Sequence, residues 1–304
     1  MARLYVQEVA VRDGFQIEKA FVPTAEKIAL VDALSRTGLA KIEVTSFVSP
    51  KAVPNLRDAE EVMRGIRRTP GVVYSALVPN AKGAERALSC DVDELNLVMS
   101  ASESHNRSNL NRSTAQSLEG FVEVMRAVKG SRARVNGSVS TAFGCPFEGD
   151  VPQERVLGFV ERYLELGLHG ITLADTTGMA HPRQVAALTA EVLRRFPGAE
   201  LTLHFHNTRG MGLANVVASL DAGAVRFDAS LGGLGGCPFA PGATGNICTE
   251  DLVHMLAAMG YDTSVDLDEL LRVARKLSSI VGHDVPGQVA KAGKITDLHR
   301  QERA

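Results

Sequence analysis

Eight short runs of strand-forming residues, separated by longer amphipathic stretches, constrain the fold of this chain more than any other feature. The runs begin at Leu4 (LYVQEVA), Lys41 (KIEVTSF), Val72 (VVYSALV), Glu94 (ELNLVMS), Val135 (VNGSVSTAF), Gly170 (GITLADT), Leu201 (LTLHFH) and Arg226 (RFDASL). The gaps between them are long enough for the crossover helix that a parallel strand pair requires. Helix signals fill them: Thr24 opens an apolar period of 3.6 with Glu26 in its first turn, Pro182 stands at a helix start, and Gly167 follows Glu165-Leu166 as a stop. Eight such units in 304 residues predict an α/β chain closed as a (β/α)8 TIM barrel, with extra C-terminal helical segments over roughly Asp266 to Val281. No linker or change of composition divides the chain, so residues 1–304 read as one catalytic domain. The other architecture with this alternation, a doubly wound open sheet, would lack a ring of functional residues at the strand ends.

Composition narrows the function classes. A net charge of −2 with no Trp argues against a nucleic-acid surface, and no apolar run approaches the length of a membrane span. A strand pattern begins almost at the first residue, so no targeting segment is expected and the cytoplasm is the expected compartment. Four irregularly spaced cysteines, Cys90, Cys145, Cys237 and Cys248, fit reduced thiols rather than a disulfide framework.

In a barrel of this kind chemistry belongs at the C-terminal strand ends. Read in order, these ends give Arg12-Asp13-Gly14 after the first run, Glu43 with T-S-F-V-S-P, G-C-P-F from Gly144, Asp175-Thr176-Thr177-Gly178, His204-Phe205-His206-Asn207, and the glycine-rich stretch Gly232 to Asn246. Alternate residues of a strand share a face, so His204 and His206 point the same way. Alone, such a pair fits a hydrogen-bonded strand end; with Asp13 and Asn246 converging on the same mouth it becomes a mixed N/O set suited to Mg2+ or Mn2+. Arg12 beside that set could stabilise an enolate, or form a strand-end salt bridge with Asp13 or Glu43. Cys237, in the long glycine loop, is a candidate proton donor, whereas Cys145 in the second G-C-P-F reads as a tight turn and Cys248 as buried packing near a helix start.

The motifs R-D-G-F-Q (Arg12 to Gln16), I-E-V-T-S-F-V-S-P-K (Ile42 to Lys51), A-D-T-T-G (Ala174 to Gly178), H-F-H-N-T (His204 to Thr208) and G-L-G-G-C-P-F-A-P-G-A-T-G-N (Gly233 to Asn246) resemble those of the 3-hydroxy-3-methylglutaryl-CoA lyases. The resemblance runs over nearly the whole chain. It implies a metal-assisted retro-Claisen cleavage of 3-hydroxy-3-methylglutaryl-CoA to acetyl-CoA and acetoacetate. It implies Asp13, His204, His206 and Asn246 as metal ligands, Arg12 as the enolate stabiliser, Cys237 as the acid, and Glu43 and Asp175 lining the site, with Asp175 in proton transfer or hydroxyl orientation. Gln16, Ser46 and Asn207, within or beside these motifs, are expected to touch an acyl-CoA substrate, and a homodimer or other homo-oligomer is expected.

Five positions depart from the family pattern: Asn207 where Asp is common, Arg209 where an aromatic is frequent, Ala52 where Trp is common, and the pair His105 and Arg107 where apolar or aromatic residues are usual. His105 reads as a solvent-facing loop residue or as a contact to the acyl group. These departures bear on the acyl group, leaving citramalyl-CoA or a longer 3-hydroxy-3-alkylglutaryl-CoA as other substrates. An acetyl-CoA condensing transferase and a non-catalytic binder are the remaining readings.

Overall fold

The computed structural model describes residues 3–236 and 245–298. Eight parallel strands, β1 (Tyr5–Glu8), β2 (Lys41–Ser46), β3 (Val73–Leu77), β4 (Glu94–Ser100), β5 (Arg134–Ser140), β6 (Gly170–Asp175), β7 (Glu200–Phe205) and β8 (Arg226–Ala229), close into a barrel in sequence order, with β1 pairing both β2 and β8. All eight expected runs are strands, and helices lie between them as the patterning predicts. The helix from Thr24 ends at Leu34, another starts at Pro182, and Asp266 caps the helix Leu267–Val281 by accepting from Glu269 N.

Parallel partners share a face, so the register sorts every strand residue into wall or interior. Val6, Ile42, Tyr74, Leu95, Leu97, Val139, Ile171, Leu173, Leu203, Phe205 and Phe227 face outward and are buried under the helices. Each such side chain contributes on the order of 1.5–3 kcal/mol on leaving water. The apolar core is therefore the annulus between strands and helices. The interior register holds Gln7, Glu43, Ser75, Asn96, Asn136, Ser138, Thr172, Thr202, His204 and Asp228. A barrel interior is ordinarily filled by branched apolar side chains. Here it is a hydrogen-bonded polar stack: Gln7 Nε2 donates to Thr202 Oγ1 at 3.2 Å and Asn136 Nδ2 to Thr172 Oγ1 at 3.0 Å. At β5 the helix Gln153–Glu165 comes so close that a Cβ on Gly137 would lie 2.4 Å from the Tyr163 ring.

The first strand is shorter than its sequence pattern. It ends at Glu8, and Ala10–Gly14 forms one π-helical turn that carries Arg12 and Asp13 inward. The cause is Glu8, fully buried outside the strand ring: its Oε1 accepts from Ala10 N at 2.8 Å and Leu231 N at 2.9 Å, and its Oε2 from Thr249 Oγ1 at 2.7 Å. One carboxyl thus ties the end of β1 to the turn after β8 and to the helix Thr249–Ala258.

Burial pushes the Glu8 pKa up to about 7 against the hydrogen bonds it accepts. A carboxyl raised on folding contributes stability that is present below its unfolded pKa and lost as pH rises through the folded one. Glu8→Gln keeps the acceptor for Ala10 and Leu231, turns a donor toward Thr249 Oγ1 and removes the titration. Relative to that variant, the unfolding free energy of the wild type is expected to fall by about 3 kcal/mol between roughly pH 4.5 and 7, by linkage. Parallel denaturant curves for the two proteins across this range check it, and a pH-independent difference would contradict it.

Candidate metal and acyl-group site

The C-terminal ends of β1 and β7 bring three donors together. Asp13, His204 and His206 each offer one ligand atom, all within 4.8 Å of one another, and all three residues are buried. His204 and His206 present their Nε2 atoms to each other at 3.1 Å. Asn246 is brought beside them by a returning extended segment: Ile247 N donates to Phe205 O and Asn207 N to Gly245 O, both at 3.0 Å, forming the His206–Asn246 bridge. Its Nδ2 donates to Asp13 Oδ2 at 2.7 Å and to Leu234 O at 2.9 Å, while its Oδ1 is buried without a hydrogen-bond partner among the described residues.

The residues fit a divalent cation. Two facing imidazole nitrogens, a carboxylate and an orphaned amide oxygen form the N2O2 set that a borderline or hard ion takes, with room left for substrate oxygens. Burial, reinforced by the neighbouring His204, lowers His206 to about 3, which keeps it neutral as a ligand must be. Gly235, at φ +100°, passes directly over the set: a Cβ there would stand 2.6 Å from Asn246 Nδ2 and 2.9 Å from Asp13 Oδ2.

Asp228 is the residue that the sequence reading missed. It pairs with His204 in the β7–β8 register, and its Oδ2 lies 3.1 Å from His204 Nδ1. A donor bond from Nδ1 to a carboxylate fixes the tautomer that presents Nε2 to a cation. Burial works against charge on His204, but the bond and charge of Asp228 outweigh it and raise the pKa. The signal was the R-F-D alternation, which puts Arg226 and Asp228 on the interior face.

Arg12 is paired with both carboxylates that its sequence context offered: Nε with Glu43 Oε2, and Nη1 with Asp13 Oδ1 at 2.6 Å. Burial opposes the guanidinium charge, but Glu43 and Asp13 overcome it and raise the pKa. Nη2 makes no hydrogen bond to the described residues, so the pairs orient the fork and leave one end available. Gln16 Nε2 donates to Asp13 Oδ1 at 3.0 Å, steadying a candidate ligand. Ser46 is re-aimed by a bulge in β2. The pairing passes from Glu43–Ser75 to Thr45–Ala76 and Ser46–Leu77, which moves Ser46 onto the interior face. Asp175, the last residue of β6, pairs with the outward-facing Phe205 rather than with His204, yet lies near enough to His204 to feel its charge; it is buried, its Oδ1 accepts from Met179 N at 2.7 Å and Ala180 N at 3.1 Å, and its Oδ2 has no partner among the described residues. Burial raises its pKa to about 6 despite those bonds and the nearby His204 and Arg209. A carboxyl with a spare oxygen and a near-neutral pKa is equipped to move a proton.

Asn207 is exposed, and its Oδ1 accepts from Gly212 N at 3.1 Å at the start of the helix Gly212–Asp221. Cys237 lies outside the described residues. His105 is not a solvent-facing loop residue. It sits in the helix Glu103–Leu110, fully buried, with Nδ1 2.6 Å from Ser100 Oγ. Ser102 caps that helix by accepting from His105 N at 3.1 Å, and the cap turns the imidazole into the wall while Arg107 pairs with Glu103 outside. Cys145 occupies a tight turn, bridged to Gly149 by two backbone bonds of 2.8 Å, and Cys248 is buried at the N-cap of Thr249–Ala258. Among the described residues no helix is long and apolar enough to cross a membrane.

Comparison with known proteins agrees with this geometry. The HMGL-like family model matches residues 3–277. The hydroxymethylglutaryl-CoA lyase YngG of Bacillus subtilis is 46% identical over 286 residues, covering 94% of this chain and 96% of that protein. An HMG-CoA lyase of Acinetobacter baumannii, solved with coenzyme A and 3-methylmalate, superposes with a TM-score of 0.96 at 55% identity over 99% of this chain and 98% of the other. The (R)-citramalyl-CoA lyase of Chloroflexus aurantiacus is 40% identical over 305 residues, 97% of this chain and 96% of that one. With a buried group that could hold a divalent cation at the mouth of a closed (β/α)8 barrel, the chain belongs to the HMGL-like family of lyases, a divalent-metal-dependent family.

Proposed function

We propose that this lyase cleaves 3-hydroxy-3-methylglutaryl-CoA to acetyl-CoA and acetoacetate, with Mg2+ or Mn2+ held by Asp13, His204, His206 and Asn246. The observation that carries the reading is the buried guanidinium of Arg12, fixed by two carboxylates beside the donor set with Nη2 left over. When bound, the cation supplies a Lewis acid for the tertiary hydroxyl and a template for the substrate's oxygens. Asp175 Oδ2 takes the hydroxyl proton, the bond between C2 and C3 breaks to leave a ketone at C3, and the electron pair passes to the thioester enolate. Arg12 Nη2 donates to the enolate oxygen, where a preorganised donor is worth most. Cys237 returns a proton to C2, completing acetyl-CoA, and its thiolate regains a proton from solvent. Gln16 and Glu43 act by holding Asp13 and Arg12, and Ser46 faces the substrate from the bulged end of β2.

The test is a panel of thioesters, 3-hydroxy-3-methylglutaryl-, citramalyl- and 3-hydroxy-3-isohexenylglutaryl-CoA, assayed for acetyl-CoA release. The highest kcat/KM is expected for the first. Cleavage of citramalyl-CoA alone would move the assignment toward the activity named for the Chloroflexus relative.

Asp228→Asn is expected to weaken divalent-ion affinity about 10- to 100-fold, the usual cost of losing a carboxylate that orients a ligating histidine. Titration calorimetry on chelator-stripped protein measures it, and wild-type affinity would detach Asp228 from the site.

A further inference from the structure

The interior polar stack runs unbroken from β6 to Arg12. Asn136 Nδ2 donates to Thr172 Oγ1 at 3.0 Å and to Asn96 Oδ1 at 2.9 Å; Ser138 Oγ donates to the same Oδ1 at 2.9 Å. Asn96 Nδ2 then donates to Glu43 Oε1 at 2.9 Å, and Glu43 Oε2 receives Arg12 Nε. The order of donors is forced. With two N–H and O–H groups already on Oδ1, the amide of Asn96 can turn only its Nδ2 toward Glu43. Gly170 leaves the space that the Asn136 amide occupies, since a Cβ there would stand 2.6 Å from Asn136 Oδ1. Asn96 is half-buried and reaches the site through Glu43.

We propose that Asn96 is a positioning residue for the lyase reaction, fixing the Glu43 carboxylate so that Arg12 is gripped through Nε and Nη2 stays turned to the substrate. Without the Asn96 donor, Glu43 loses its only other side-chain hydrogen bond among the described residues and can rotate with Arg12. A guanidinium that wanders by even an ångström loses much of its preorganised effect on a developing oxyanion. The activity readout rests on the proposed cleavage reaction; the structural readout does not.

Asn96→Asp is the sharper variant, because it keeps the acceptor that Asn136 and Ser138 need and replaces the donor facing Glu43 with a second carboxylate oxygen. Asn96→Ala is the companion. Both are expected to lower kcat about 10- to 100-fold with KM changed less than about threefold, by analogy with other residues that orient a functional group. The effect of Asn96→Asp should shrink to less than about threefold in a Glu43→Gln background, since residues acting through one another are non-additive. The Arg12 Nε proton, identified by its loss in Arg12→Lys, is expected to exchange with solvent at least about tenfold faster in both Asn96 variants. Unchanged exchange, or a loss of kcat that is equal in the Glu43→Gln background, would overturn the proposal. If the wild type cleaved no acyl-CoA of the panel, the cleavage reading would fail while proton exchange still decided the role of Asn96.

Discussion

Arg12→Lys is expected to lower kcat by about 10^3-fold while leaving divalent-ion affinity within a few-fold of wild type, the scale seen when one donor to a developing oxyanion is removed. The expectation follows from the division of labour in the guanidinium: Nε and Nη1 are spent on Glu43 and Asp13, and Nη2 remains for chemistry. A lysine ammonium satisfies one or both carboxylates but has no planar fork with which to hold a third direction at the same time. Because Asp13 keeps a cation beside it, the donor set survives. Steady-state kinetics with calorimetry separate the two effects, and a fully active variant would remove Arg12 from the enolate.

The second large effect is expected from His206→Ala. It removes one of the two facing nitrogens, and since losing a supporting carboxylate alone costs 10- to 100-fold, loss of the ligand itself should weaken ion binding by more than about 100-fold. Activity at fixed metal concentration should fall with it and return in part at high Mn2+. The protein should remain folded, since His206 Nδ1 makes no hydrogen bond to the described residues and its main-chain bridge to Asn246 is independent of the side chain. Affinity equal to wild type would take His206 out of the ligand set.

Local signals made the barrel legible. Each strand is a compact β-rich run, and the helix starts at Pro182 and Leu267 carry ordinary capping chemistry, while the helix from Thr24 is read from its apolar period. The grouping of candidate donors was legible because strand alternation projects His204 and His206 together and barrel closure brings Asp13 beside them. What stayed hidden depends on partners far along the chain. Nothing near Glu8 announces that its carboxyl will bind Leu231 and Thr249 and end β1 early. Asp228 gains meaning only from its register with His204, and Asn96 only from Glu43 and Asn136 on other strands. His105 misled because its polarity suggested solvent, whereas the Ser102 cap and the Ser100 hydroxyl satisfy it inside the wall.

The most direct measurement is single-turnover release of acetyl-CoA and acetoacetate from 3-hydroxy-3-methylglutaryl-CoA by chelator-stripped protein, with and without added Mg2+ or Mn2+, alongside Arg12→Lys. The account predicts equimolar products from wild type only when the ion is present, and a rate about 10^3-fold lower for the variant with the ion bound. Product formation at full rate in the stripped protein, or none from folded, metal-loaded wild type, would contradict it.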